Sequence, residues 1–135
     1  MSVKSGCADM ETIDDNEMDG LCREMQTRFA SRGMDLFTML CFDDTQVPFA
    51  LATDDCCFLV DRVRQSVIRD YYRLKLAAGK LAEKEPQARI FGILLVGSTQ
   101  GIASEFLRFA GMNDIALLEP EKAGEFIEGK LAKTT

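Results

Sequence analysis

The sequence predicts an α/β (α+β) domain of three layers, in which helices cover both faces of a mixed five-stranded sheet. Its 135 residues are 47% hydrophobic and 28% charged, which is the size and balance of one globular domain. Along the chain, the apolar residues change repeatedly from a helical to a strand-like spacing. The resulting order is α-β-β-β-α-β-α-β-α, which predicts an antiparallel meander followed by strand–helix–strand units.

The chain begins with a polar, acidic stretch over residues 1–14, which we predict to be a disordered leader before a domain of residues 15–135. Asp14, Asp15 or Asn16 is predicted to cap the first helix, because each has an oxygen for the free N–H groups of the first turn. The apolar stripe of this helix and the glycine predicted to end it are Met18, Leu21, Cys22, Met25, Phe29 and Gly33.

Three short apolar segments follow, and polar turns join them as in an antiparallel meander. The first covers residues 34–42, the second residues 47–53 and the third residues 56–63. Pro48 falls near the start of the second strand, where its missing N–H costs least.

A second helix is predicted over residues 64–85, because the apolar spacing becomes helical there and Pro86 stops it. Its main stripe consists of Val67, Tyr71, Leu74, Ala78 and Leu81. Ile68, Tyr72 and Leu76 widen this stripe, so we expect the helix to bury them and to pack closely against the sheet.

Residues 90–96 are apolar without alternation, which is typical of a strand covered on both faces. Residues 97–101 are predicted to turn into a short helix that Ser98 or Thr99 caps. A fifth strand is predicted over residues 115–118. The last helix is predicted to begin at Glu119-Pro120, with an inner face of Ala123, Phe126, Ile127 and Leu131.

The composition excludes several kinds of chemistry. Without histidine there is no Ser-His or Cys-His pair, no histidine metal ligand and no imidazole base. Five cysteines without CxxC spacing predict reduced, mostly buried thiols and no metal site, as in a cytoplasmic protein. No signal-peptide pattern is present, and no apolar run is long enough for a bilayer, so we expect no membrane contact. We also expect a homo-oligomer, only because this is the commonest kind of assembly among soluble proteins.

The net charge of −6 is unevenly distributed along the chain. Residues 1–61 carry 4 basic and 13 acidic side chains, whereas residues 62–89 carry 8 basic and 3 acidic ones. The predicted binding residues in this basic segment are Arg62, Arg64, Arg69, Arg73 and Lys80. The sequence leaves open whether they contact phosphates, an acidic protein partner or the acidic N-terminal segment of the same chain, or form a solvated face.

The order of elements over residues 34–118 resembles the core of the restriction-endonuclease-like, or PD-(D/E)XK, nuclease superfamily. Residues 49–55, 58–63 and 92–96 resemble strands of that core in their pattern. The resemblance implies a site where an acid on the second strand and an acid-x-lysine on the third would serve. The acids would hold one or two magnesium ions, and the lysine would help to activate the attacking water.

This chain departs from the family pattern at the residues that carry the chemistry. Pro48 and Phe49 occupy the second-strand position of the acid, and Val63 occupies the position of the lysine. Asp61 matches the third-strand acid, and Asp44 is a second candidate catalytic residue for a displaced site. The acids that would complete such a site with Asp61 are Asp43, Asp44, Asp54 and Asp55.

Three functions remain from these observations. We expect a non-catalytic module with a nuclease-like fold that acts through protein or nucleic-acid contacts and has no cofactor. The first alternative is a divalent-metal-dependent nuclease with a displaced active site, which is the only one that needs magnesium. The second alternative is a small-ligand-binding α/β regulatory domain that uses residues 97–101, because free N–H groups at a helix start bind anions.

Overall fold

A computed structural model describes residues 13–134 and confirms the predicted fold class and element order. The helices are α1 (Asp15–Ala30), α2 (Val67–Lys84), α3 (Ser104–Met112) and α4 (Ala123–Thr134). The strands are β1 (Asp35–Phe42), β2 (Thr45–Ala52), β3 (Cys56–Arg62), β4 (Arg89–Leu95) and β5 (Ile115–Leu118). A 3₁₀ turn, Pro120–Lys122, precedes α4.

The strands form one mixed sheet in the order β1-β2-β3-β4-β5. The pairs β1–β2 and β2–β3 are antiparallel, as short polar turns require, and the pairs β3–β4 and β4–β5 are parallel. Helices α2 and α3 make the two crossovers of the parallel half. The meander followed by strand–helix–strand units is therefore confirmed.

Helices α1 and α4 pack on one face of the sheet, and α2 and α3 pack on the other. Under α1 and α4, the rings of Phe58 and Phe91 stack with centroids 5.2 Å apart. Strand β4 supplies Phe91 and Ile93 to this core and Leu94 to the opposite one, so it is covered on both faces as predicted. The predicted inner face of the last helix is also confirmed: Ala123, Ile127 and Leu131 are buried, and Phe126 packs against them.

The entry to α1 is held by a capping box. Asp14 Oδ1 accepts a hydrogen bond from the N–H of Glu17 at 2.8 Å, and Glu17 Oε1 accepts one from the N–H of Asp14 at 3.2 Å. Ile13 is buried in the core under α1. Residues 1–12 of the predicted leader lie outside the described residues, but Ile13 and Asp14, which were assigned to it, contact the domain. After α1, Gly33 has a φ of 75° and turns the chain toward β1.

Strands β1 and β2 change face halfway along their length. Leu36 packs into the core under α1, whereas Leu40 and Phe42 pack into the core under α2. Between them, Met39 has a φ of 54°, in the left-handed region that non-glycine residues rarely adopt. The register places Pro48 opposite Met39, because Thr38 pairs with Phe49 and Leu40 pairs with Val47. This reversal leaves the side chain of Met39 exposed.

The expectation that α2 would bury its whole apolar stripe is wrong. Tyr71 and Leu74 are fully buried, but Ile68, Tyr72 and Leu76 are 59%, 54% and 55% exposed. The sheet covers only one side of a cylinder with about 3.6 residues per turn, and these three positions lie about 90–170° around the helix from the mean direction of Tyr71 and Leu74. An amphipathic pattern wider than the contact therefore leaves an exposed apolar row.

Three helices begin later than predicted, and the last of them, α4, begins at Ala123 because the 3₁₀ turn Pro120–Lys122 occupies its predicted start. Helix α2 begins at Val67 because the hydroxyl of Ser66 caps it by accepting a hydrogen bond from a backbone N–H three residues on. Helix α3 begins at Ser104, and its N-cap residue makes no side-chain hydrogen bond. The prediction that Ser98 or Thr99 caps this helix is wrong, because both residues lie in the turn that precedes it.

The expectation of mostly buried cysteines is met only in part: among the described residues Cys56 and Cys57 are buried, whereas Cys22 is half-buried and Cys41 is exposed. The cysteines with a free thiol are Cys22, Cys41, Cys56 and Cys57. None of the helices between residues 13 and 134 combines the length and the hydropathy that a membrane span requires.

Gly92 lies where β4 is packed closely against side chains of β5 and α2. A Cβ atom there would lie 2.5 Å from Cδ1 of Ile115 and 3.1 Å from Cδ2 of Leu74. We expect Gly92→Ala to lower the free energy of unfolding by about 1–3 kcal/mol, because both side chains must leave their packed positions. Gly129→Ala is the matched control: its added Cβ meets nothing within 4 Å in α4, and it should raise stability by up to about 1 kcal/mol. Urea denaturation of both variants tests this, and equal effects would contradict it.

Candidate functional site

The end of β3 and the loop after it carry most of the predicted site residues. Successive side chains of a strand point to opposite faces, so Asp61 lies on the α2 side with Leu59, and Arg62 lies on the α1 side. Asp61 is 1% exposed, whereas Arg62 is only half-buried. Asp61 and Arg62, which are neighbours in the sequence, therefore lie on opposite faces of the sheet.

Asp61 is enclosed by partners from its own chain. Its Oδ1 accepts a hydrogen bond from the N–H of Arg62 at 2.7 Å and forms an ion pair with Nη2 of Arg64 at 3.1 Å. Burial raises the pKa of Asp61 to about 6, although that N–H and the charge of Arg64 act in the opposite direction. The charge of this buried carboxylate is thus compensated by an arginine of the same chain that remains partly exposed.

Asp70, in the first turn of α2, is a second buried acid that the sequence analysis did not single out. It is 1% exposed, and its Oδ2 accepts hydrogen bonds from the N–H groups of Arg64 at 2.7 Å and Gln65 at 2.9 Å. Its Oδ1 lies 3.8 Å from Nη1 of Arg73. Together Asp61, Arg64, Asp70 and Arg73 form what we call the β3–α2 cluster, which holds the loop between these two elements.

Arg62 connects β3 to the start of the described chain. Its Nη1 donates to the carbonyl oxygen of Ile13 at 2.7 Å, and its Nη2 forms an ion pair with the carboxylate of Asp15. Its Nε is buried and has no hydrogen-bond partner. The contact with Asp15 is one of the outcomes that the sequence left open, namely pairing between the basic segment and the acidic N-terminal segment.

The last two predicted binding residues differ in their surroundings. Nζ of Lys80 lies 2.5 Å from Oδ2 of Asp43, and hydrogen bonding to Lys80 lowers the pKa of that carboxyl. Arg69 is exposed, and its guanidinium makes no ion pair within the described part of the chain. Four of the five predicted binding residues therefore already have a carboxylate partner in this protein.

The structure does not bring the two candidate catalytic acids together. Asp44 is exposed in the turn between β1 and β2, whereas Asp61 is buried and paired with Arg64. In the β2–β3 register Phe49 pairs with Val60, which sets Pro48 beside Asp61. No carboxylate stands there, and Val63, at the lysine position of the family pattern, is 2% exposed. Among residues 13–134, the structure contains no group of three or more Asp, Glu, Cys or His side chains that could hold a metal ion.

A cleft of about 470 Å³ lies between α1 and the first two strands. Arg62 and Arg64 line it, with Cys22 from α1 and Met39 and Pro48 from the hairpin. The volume is in the range of small-molecule sites, which is about 300–1,000 Å³. Its charges are balanced, however, because both arginines are paired with carboxylates of the chain.

The segment 97–101 is tied to the neighbouring loop. The N–H of Thr99 donates to Oε2 of Glu119 at 3.2 Å, and its hydroxyl lies 3.5 Å from the same oxygen. Thr99 and Glu119 also line a cavity of about 540 Å³ between α3 and α4. The N–H group of Thr99, which was a candidate for binding an anion, therefore already donates its hydrogen bond to Glu119.

Comparison of the chain with protein-family models, with curated proteins and with solved structures gave no match.

Proposed function

We propose that this protein is a non-catalytic module with a restriction-endonuclease-like fold that acts through contacts with a protein partner. The observation that carries the proposal is the internal pairing of the charges available for catalysis or phosphate binding. Asp61 is neutralised by Arg64, and Arg62 by Asp15. The order of helices and strands, with a meander followed by parallel strands, supports the nuclease-like part of the proposal.

The residues at and beside the catalytic positions of β3 support a module without nuclease activity. The family chemistry needs two acids that share a metal ion and a lysine that reaches the attacking water. Here Asp61 has Pro48 as its neighbour on β2, and Val63 is packed in the core under α2. A carboxylate buried against an arginine has little freedom to take up a metal ion, because the arginine already supplies its counter-charge.

The pairing of the basic side chains favours a protein over a nucleic acid as the partner. Phosphate binding gains its free energy from cations that are free to replace condensed counterions. Arg73 and Lys80 face the carboxylates of Asp70 and Asp43 within the chain. The same helix instead exposes apolar side chains, which suit a protein contact.

The two alternative functions, a magnesium-dependent nuclease and a small-ligand-binding domain, differ in the structural support that they have. Nothing in residues 13–134 favours the magnesium-dependent nuclease, because Asp61 and Asp44 are not brought together. The small-ligand alternative has one supporting observation, which is the cavity of about 540 Å³ beside Thr99.

Nuclease assays test the proposal directly. Purified protein is incubated with plasmid DNA, single-stranded DNA and RNA in the presence of Mg²⁺ or Mn²⁺. Asp61→Asn serves as the matched variant, because it keeps the shape of the side chain. We expect both proteins to leave every substrate intact. Metal-dependent cleavage by the wild type that Asp61→Asn abolishes would contradict the proposal. Salt-sensitive binding to a DNA duplex, weakened by Arg69→Glu, would replace the protein partner with a nucleic acid.

A further inference from the structure

Helix α2 carries an exposed apolar row. Ile68, Tyr72 and Leu76 recur every four residues, and more than half of each side chain is accessible. Gly79 continues the row by one turn, and a Cβ atom added there would meet nothing within 4 Å. The row thus runs over about 16 Å at about 1.5 Å per residue, and a partner backbone can approach closely at its glycine end.

Helix α3 extends this row into a wider surface. Phe109 is 45% and Met112 is 80% exposed. The buried ring of Tyr71 joins the two helices, since its centroid lies 5.0 Å from that of Tyr72 and 5.9 Å from that of Phe109. We call the surface formed by Ile68, Tyr72, Leu76, Phe109 and Met112 the α2–α3 face. Five large apolar side chains grouped in this way differ from the scattered apolar residues of an ordinary surface.

Two positive charges without a carboxylate partner in residues 13–134 flank the apolar row of α2. Arg69 and Lys75 lie three residues before and after Tyr72, so they fall on opposite sides of the row. Lys75 Nζ donates to the neutral amide oxygen of Asn113 at 3.2 Å, and the side chain of Arg69 makes no ion pair in residues 13–134. Of the other cations of α2, Arg73 and Lys80 have carboxylate partners, and Lys84 in the last turn makes no ion pair within residues 13–134. Two of the three α2 cations that make no ion pair within residues 13–134, Arg69 and Lys75, therefore lie beside the apolar row.

We propose that the α2–α3 face binds an amphipathic helix of another protein, with an apolar stripe bordered by aspartate and glutamate. The apolar row takes the stripe of the partner, as in helix-in-groove recognition, and Arg69 and Lys75 take its acidic borders. This inference rests on the protein-contact function proposed above and names the class of partner.

A second copy of the chain fits this face less well. An antiparallel twofold pairing of α2 with α2 centred on Tyr72 places the two copies of Arg69 on one side of the contact and the two copies of Lys75 on the other. Like charges facing each other oppose such an association, whereas acidic borders remove the conflict.

The test uses two synthetic helical peptides of about 18 residues, which is about five turns. Both carry the same leucine stripe; one has glutamate borders and the other has lysine borders. Fluorescence anisotropy measures their binding to the full chain. We expect the glutamate-bordered peptide to bind at least about tenfold more tightly than the lysine-bordered one. In the protein, the substitution Tyr72→Asp should weaken binding of the glutamate-bordered peptide at least about tenfold. The matched control, Phe37→Asp, removes another exposed aromatic side chain outside the face and should leave binding unchanged.

Several results would overturn this inference. Equal affinity for the two peptides, or unchanged binding by the Tyr72→Asp variant, would remove its basis. A concentration-dependent dimer in sedimentation that Tyr72→Asp dissolves would assign the face to a second copy. Binding to phosphatidylserine vesicles without binding to the glutamate-bordered peptide would assign it to a lipid surface. The failures are distinguishable: loss of peptide selectivity leaves the absence of nuclease activity standing, whereas metal-dependent cleavage overturns the proposed function whatever the peptides do.

Discussion

Asp70→Ala should lower the free energy of unfolding by about 3 kcal/mol, because the carboxylate of Asp70 serves two backbone donors and one cation. The N–H groups of Arg64 and Gln65 would lose their acceptor, and each orphaned donor costs about 1–3 kcal/mol. Arg73 would lose its carboxylate partner at the same time. Urea denaturation followed by circular dichroism measures the change.

Two matched variants separate the role of Asp70 from a general effect on α2. Asp70→Asn keeps an acceptor of the same shape for the two N–H groups, so we expect it to cost about 1 kcal/mol, mostly from the lost charge. Glu83→Ala removes an exposed acid from the same helix and should stay within about 0.5 kcal/mol of the wild type. If Asp70→Ala and Glu83→Ala were equally mild, the loop between β3 and α2 would not depend on this carboxylate.

The stability of the protein should carry a pH dependence that comes from Asp61. Burial raises the pKa of Asp61 to about 6 in the folded protein, while an aspartate in an unfolded chain titrates near about 3.9. The folded state therefore binds the proton more tightly than the unfolded state does. The stabilisation from the protonated form is complete below about pH 4 and is lost as the pH rises through about 6. From pH 4 to pH 7, this single group lowers the free energy of unfolding by about 2 kcal/mol.

The comparison with Asp61→Asn isolates this contribution. The pKa values of Asp43 and Glu128 are lowered by hydrogen bonds to Lys80 and Arg28, so these acids act in the opposite direction and lose stabilisation as the pH falls. The difference in unfolding free energy between wild type and Asp61→Asn removes them, because both proteins share them. It should shift by about 2 kcal/mol in favour of Asp61→Asn between pH 4 and pH 7. A difference that stays constant with pH would show that Asp61 titrates as it does in water.

The sequence predicted best those elements whose apolar residues are all covered by the core that they pack against. The inner face of α4 and the two-sided burial of β4 were both predicted, because one stripe or one uninterrupted run meets one core. The start of α3 was not, since Ser98 and Thr99 are good caps by residue type but lie in a turn tied to Glu119. Residue type alone does not distinguish a helix cap from a loop hydrogen bond.

The sequence by itself determined the fold class, the order of helices and strands and the absence of histidine chemistry, because these depend on local spacing and composition. Tertiary structure alone decided the partners of the charged residues. Asp61 and Arg62 are adjacent in the chain, yet the pleat of β3 turns one to Arg64 and the other to Asp15. It also decided that Ile68, Tyr72 and Leu76 remain exposed, since a helical period identifies apolar positions but not how wide a face the sheet covers.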